Sequence, residues 1–182
     1  SVLAGVEVVG VAAGRWHSLA RSSDGALYSW GGGFFGRLGH GDEESRTVPT
    51  RVSSLGDVRV VGMAAGAHHS LALCDAGRLY SWGFGGSGRL GHGDTEQRPL
   101  PSPIAMPDGT AKVTCVAAGS HHSLAVTERG ELLSWGDGGG GRLGLGDEQA
   151  RLAPTFVEAL RGCSVVAATA GEAHSLAVTT TG

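Results

Sequence analysis

One four-residue phrase is written four times along the chain, and it limits the possible folds more than any other feature. It reads His17-Ser18-Leu19-Ala20 and returns at His69, His122 and His174, at intervals of 52, 53 and 52 residues. Other landmarks keep the same step. A small-small-Gly triplet ends at Gly14, Gly66, Gly119 and Gly171. Ser-Trp-Gly centres on Trp30, Trp82 and Trp135, Gly-Arg-Leu-Gly ends at Gly39, Gly91 and Gly144, and Gly-Asp closes each long loop at Asp42, Asp94 and Asp147. A fixed period near fifty marks stacked supersecondary units, none of which can bury its apolar flank alone.

The second copy shows what a unit is made of. Val58 to Ala65 is a β-branched apolar run too short for a helix, and Gly66 ends it. Ser70 to Cys74 is a second run, followed by Asp75-Ala76-Gly77, where a glycine at Gly25, Gly77, Gly130 and Gly182 predicts a hairpin turn with one positive φ. Arg78 to Gly83 reads as a third strand, uncharged on both faces and so covered on both. Its serine implies close approach of a neighbouring sheet, and its tryptophan is a filler between sheets. Pro101 to Ala105, matching Pro49 to Ser53 and Pro154 to Glu158, reads as a fourth strand, placed at a sheet edge because proline lacks the ladder donor. Thr155 to Arg161 comes nearest to a helix and is too short. Four short antiparallel strands per unit describe a propeller blade in an all-β fold. The units run over residues 3–54, 55–107 and 108–159, with an incomplete fourth at 160–182, about three and a half blades. The 33 glycines among 182 residues fall at repeated positions between apolar runs, as turns do and disordered tracts do not.

Composition removes several function classes. Net charge is −3 with dispersed basic residues, so no electrostatic footprint for nucleic acid is present. Cys74, Cys115 and Cys163 are odd in number and unrelated to the repeat, which argues against a disulfide framework and predicts an intracellular protein, cytoplasmic or nuclear. No apolar run approaches the roughly 20 residues of a membrane helix, and no leader is visible at Ser1.

Candidate chemistry is tested against the repeat. His17, His69, His122 and His174 sit on four separate blades, too far apart for one ion, so a structural role bonding loop backbone is expected. His40 and His92 precede Gly-Asp, but the third copy has Leu145, which rules out a zinc site. Gly31-x-Gly33-x-x-Gly36 and its two copies fit a dinucleotide fingerprint, yet no helix follows to hold a pyrophosphate, so loop geometry explains them. Arg37, Arg89 and Arg142 precede the loop aspartates by five residues, and Arg46, Arg98 and Arg151 follow by four. Two arginines around one carboxylate predict a loop clamp, the rival being an arginine ring displayed to an acidic partner. The serines beside the histidines lack an orienting third group, and no paired carboxylates occur, so no catalytic set and no cofactor is expected. Trp16 stands where the other copies have His68, His121 and Ala173, so no tryptophan cluster recurs with the repeat. Loops carrying Glu43, Glu44, Thr95, Glu96, Gln97, Asp108 and Lys112 differ between copies and are the expected partner-facing segments.

The phrases Ala-Ala-Gly-x-x-His-Ser-Leu-Ala, Gly-x-Leu-x-Ser-Trp-Gly and Gly-Arg-Leu-Gly-x-Gly-Asp, in this order over nearly the whole chain, resemble the regulator-of-chromosome-condensation repeat family. The arginine at 37, 89 and 142 departs from the glutamine more usual there. The resemblance implies a propeller of about seven blades, of which this chain carries roughly half. Its limits at Leu3, in register with Leu55, and at Gly182 predict that it belongs to a longer propeller or meets a complementary half. A repeated rigid body, loops that differ between copies and the lack of a catalytic set point to a non-catalytic protein-interaction scaffold. Two rival readings are nucleotide exchange on a small Ran-like GTPase and a targeting module of a multidomain ubiquitin ligase.

Overall fold

In the computed structural model, which describes residues 3–181, each repeat becomes one antiparallel sheet with its strands in chain order. The first sheet holds β1 (Val8–Ala13), β2 (His17–Ser22), β3 (Leu27–Gly31) and β4 (Arg46–Arg51). The second holds β5 (Val60–Ala65), β6 (His69–Cys74), β7 (Leu79–Gly83) and β8 (Arg98–Pro103). The third holds β9 (Val113–Ala118), β10 (His122–Thr127), β11 (Leu132–Gly136) and β12 (Arg151–Phe156), and β13 (Val165–Ala170) pairs with β14 (Ser175–Thr179) alone. The inner strands adjoin in sequence: β5 packs on β1 and β2, β9 on β5 and β6, and β13 on β9 and β10. The result is an open, partial β-propeller.

The core lies between sheets. Leu19, Leu27 and Val52 of the first meet Val60, Ala72 and Trp82 of the second. Leu71, Leu73, Leu79 and Ile104 meet Val113, Ala125, Leu133 and Trp135 of the third. Each fully buried leucine contributes roughly 1.5–3 kcal/mol, so the seams carry most of the apolar stabilisation. Trp82 and Trp135 are wholly buried and lie on Gly39 and Gly91 of the preceding unit, where any Cβ would sit 2.8 Å from the indole nitrogen. Trp30, on the outer flank of the first sheet, is half-buried.

Two strand expectations are corrected. The fourth strands begin three residues earlier than the prolines suggested, and Ser53 and Glu158 open short 3-10 turns instead. The reason is register. Ser102 pairs with Ser81, and the Ile104 amide donates to Leu79 O, so the alternate residues Pro99, Pro101 and Pro103 face away from β7, where no donor is needed. The strand-three serines mark no approach of a neighbouring sheet. Ser29, Ser81 and Ser134 each donate at 2.7 Å to Leu38 O, Leu90 O and Leu143 O in their own unit's long loop. The hairpin turns have the expected positive φ at Gly25, Gly77 and Gly130, while the equivalent Gly182 lies outside the described residues.

Strand direction separates two ends. The β1–β2, β5–β6 and β9–β10 turns share one end with the long loops after β3, β7 and β11, hereafter the loop face. The hairpin turns and inter-unit linkers occupy the other end.

Candidate functional site

The recurring histidines fasten the seams. His17 Nε2 lies 2.7 Å from Ser70 Oγ, His69 Nε2 2.9 Å from Ser123 Oγ, and His122 Nε2 2.9 Å from Ser175 Oγ, each bond reaching into the next sheet. These serines spend their single proton elsewhere, donating to Arg37 O, Arg89 O and Arg142 O at 2.7–2.8 Å. Each Oγ must therefore accept, and each Nε2 must carry the hydrogen. The other ring nitrogen, Nδ1, is buried without a partner in His17, His69 and His122, pressed against the backbone of Gly14, Gly66 and Gly119. A second proton would meet no acceptor there. Burial, then neighbouring Arg37, pushes His17 down to about 3, burial and Arg142 bring His122 to about 4, and burial and Arg89 hold His69 well below the usual imidazole range. The role is structural, but the partner is a serine of the adjoining sheet and not the loop backbone expected from sequence. His174 carries the same phrase at the exposed end of the fourth unit.

The long loops are pinned by one arginine each. Arg46 to Asp42, Arg98 to Asp94 and Arg151 to Asp147 form ion pairs at 2.6–2.8 Å, and the same aspartates cap the Glu44, Glu96 and Gln149 amides. The Arg98 hydrogen bonds, then the Glu96 amide, hold Asp94 at about 2. The other half of the expected clamp is absent: among the described residues, Arg37, Arg89 and Arg142 form no ion pair with these aspartates. Nor are Arg37 and Arg89 displayed, being 3% and 2% exposed. Their Nε atoms brace their own loops through Phe34 O and Gly86 O, and their Nη1 atoms cross the seam to Ala67 O and Ser120 O. A guanidinium offers five donors in a fixed fork, which suits it to tying two loops at once.

The remaining decoys resolve similarly. His40 and His92 bond Ser29 and Ser81 at 3.0 and 2.9 Å. Gly33, Gly85 and Gly138 of the Gly-rich segments lie against the Glu44, Glu96 and Gln149 carbonyls with no room for a Cβ, and three-residue 3-10 turns follow them. The divergent loops do not make one surface. Glu43, Glu44, Thr95, Glu96 and Gln97 belong to the loop face, where Gln97 donates to Glu43 at 2.6 Å. Asp108 and Lys112 sit at the opposite end, Lys112 lying against the Gly77 turn.

What sequence reasoning missed is an aromatic cluster on the loop face. Phe35 and Phe84, from adjacent units, approach to 4.7 Å, and His68 stands edge-on to Phe35 at 5.6 Å. Phe35 adopts φ +63°, a left-handed conformation that costs a bulky residue about 1–2 kcal/mol. Phe34 and Trp16, on the same loop face, are 66% and 56% exposed, and the Arg15 guanidinium lies 5.5 Å from the Trp16 ring. The signal was present: aligned copies read Phe35, Ser87, Gly140 at one position and Gly32, Phe84, Asp137 at another. These departures lie inside an otherwise strict repeat and all fall on the loop face.

Sealed seams and one end decorated with exposed aromatics define an interaction-type propeller, with no catalytic constellation among the described residues. The chain belongs to the RCC1-like domain family, whose model matches residues 2–182. It is 41% identical over 177 residues to the ultraviolet-B receptor UVR8 of Arabidopsis thaliana, covering 97% of this chain and 40% of that protein. It is 38% identical over 180 residues to the human E3 ubiquitin-protein ligase HERC2, covering 97% of this chain and 4% of the ligase. Among solved structures, Prp20p from Saccharomyces cerevisiae, described with its binding properties to Gsp1p and histones, superposes with a TM-score of 0.83 at 33% identity, covering 94% of this chain and 43% of that one. The chain thus spans less than half the length of these relatives. No helix among the described residues is long and apolar enough to cross a membrane.

Proposed function

We propose that the chain, built of units 3–54, 55–107, 108–159 and the partial 160–182, is a non-catalytic, intracellular protein-interaction scaffold whose loop face receives the partner. The observation that carries this reading is the pair Phe34 and Trp16, large apolar side chains left in water beside a residue held in a costly backbone conformation. Aromatic anchors of this kind dominate interface energetics, and a rigid sheet scaffold presents them with little ordering cost. The resemblance to Prp20p supports the exchange reading and that to HERC2 the ligase-module reading, both belonging to longer proteins.

A photo-crosslinker placed at Phe34 tests the scaffold reading in cell extract. Discrete adducts that vanish when the crosslinker moves to Lys112, at the opposite end, are expected; equal labelling from both ends would refute it. A fluorescent-GDP release assay with a Ran-like GTPase separates the exchange reading: scaffolding predicts no acceleration.

A further inference from the structure

The two complete seams show one seat filled twice. In the first, Trp82 of β7 lies on Gly39 and joins Leu19, Leu27, Val52 and Leu55 of the preceding unit in one buried cluster. In the second, Trp135 of β11 lies on Gly91 beside Leu71, Leu79 and Ile104 of the same cluster, and its indole N–H donates to Arg89 O at 3.0 Å. The third unit holds Leu124, Leu132, Val157, Leu160 and Gly144 at the positions that form the first seat.

There the seat is an open groove. All five residues line a cavity of about 330 Å³ between the third and fourth units, bounded on its far side by Ala173 to Ala177. Gly39 and Gly91 each have an indole against them, whereas a Cβ on Gly144 would meet only Val157, at 3.6 Å. Beside the groove runs a sheet edge, since β14 pairs with β13 alone among the described residues. Leu176 and Val178 are 58% and 52% exposed, while Leu71, Leu73, Leu124 and Val126 at the same positions are buried. In the complete units the Ser22, Cys74 and Thr127 amides donate across the hairpin to Ala26 O, Arg78 O and Glu131 O, and alternate residues of a strand face the same way. The Ser175 and Ala177 amides of β14 therefore point outward. Arg142 O accepts from Ser175 as Arg89 O does from Ser123, and the Arg89 carbonyl also takes an indole proton with its second lone pair.

We infer that the fourth unit is a strand acceptor, which takes an extended partner segment of the type Leu-x-Ser-Trp-Gly antiparallel beside β14. The complete units set the register, because Ser18, Ser70 and Ser123 pair with Trp30, Trp82 and Trp135. The incoming tryptophan then stands opposite Ser175, its indole enters the groove over Gly144 and its N–H reaches Arg142 O, while the incoming leucine stands opposite Val178. Main-chain bonds to β14 supply affinity, and the indole seat selects the sequence. The groove belongs to the third and fourth units and the aromatic cluster of the loop face to the first two, so the two surfaces are distinct.

The test uses this chain and a fluorescein-labelled peptide with the sequence of residues 77–83, Gly-Arg-Leu-Tyr-Ser-Trp-Gly, beside a second peptide with alanine in place of the tryptophan, both read by anisotropy. The tryptophan peptide is expected to bind at least about tenfold more tightly. Gly144→Asn, a residue type that tolerates the left-handed φ of +69° and whose side chain takes up the indole seat, should remove that preference. Gly146→Asn, at φ +84° with open space around it, should keep it. Saturating peptide should also slow hydrogen exchange at the Ser175 and Ala177 amides. Equal binding of the two peptides, or binding of neither, overturns the inference. So does a preference that survives in Gly144→Asn or is lost equally in Gly146→Asn, and so does unchanged exchange at both amides.

Discussion

At the first seam His17 reaches Ser70 at 2.7 Å, and at the second His69 reaches Ser123 at 2.9 Å, each above a glycine and each serine tied to an arginine carbonyl. On the loop face the first unit has Phe35 where the second has Ser87, and Gly32 where the second has Phe84. The seam repeats because its geometry admits one answer: a neutral imidazole, a hydroxyl acceptor and no Cβ beneath the ring. The face varies because water accepts many answers, so its residues report on something outside the sheet stack. Repetition reads here as packing, and departure from repetition marks where the proposed partner surface lies.

Substitutions can break this division. The largest effect is expected at Gly66→Ala, whose Cβ would overlap the Gly119 carbonyl oxygen and stand 2.5 Å from His69 Cε1. Backbone on one side and a buried ring on the other leave nothing to yield, so a loss of about 3 kcal/mol or more is expected in urea unfolding. His69→Ala, removing a fully buried ring and its bond to Ser123, should cost about 2–4 kcal/mol. Asp94→Ala should cost at most about 1 kcal/mol, since its pair with Arg98 is part-exposed, and should show first as faster protease cleavage between Leu90 and Arg98. Phe34→Ser should move stability by less than about 0.5 kcal/mol while abolishing partner capture. A seam variant that spares the urea midpoint, or a face variant that collapses it, would erase the distinction.

Much of this was legible in the sequence, and unevenly. The blades, hairpin turns and inter-sheet tryptophans followed from periodicity, since a period-two strand between fixed glycines leaves little choice. The fourth-strand limits did not, because a proline marks the side of a strand lacking donors and not where pairing begins. The loop clamp was half readable: Asp94 and Arg98 are close along the chain, whereas the destination of Arg89, the Ser120 carbonyl across the seam, depends on sheet stacking. The histidine acceptors were hidden for the same reason, lying 53 or 54 residues away.

The pH dependence of unfolding tests the neutral-imidazole seam most directly. Folded-state values lie below the unfolded value of about 6.5, so the unfolded chain binds more protons, and the stability these rings contribute is present above that pH and is lost as pH falls. His17 and His69 together give a slope of about 2–3 kcal/mol per unit between roughly pH 6 and 4, above the range where Asp94 protonates. Urea midpoints of the wild-type chain should fall steeply across that window, and His69→Gln, which keeps a donor but cannot titrate, should flatten the slope by about one proton. Identical slopes for the two proteins would contradict the account.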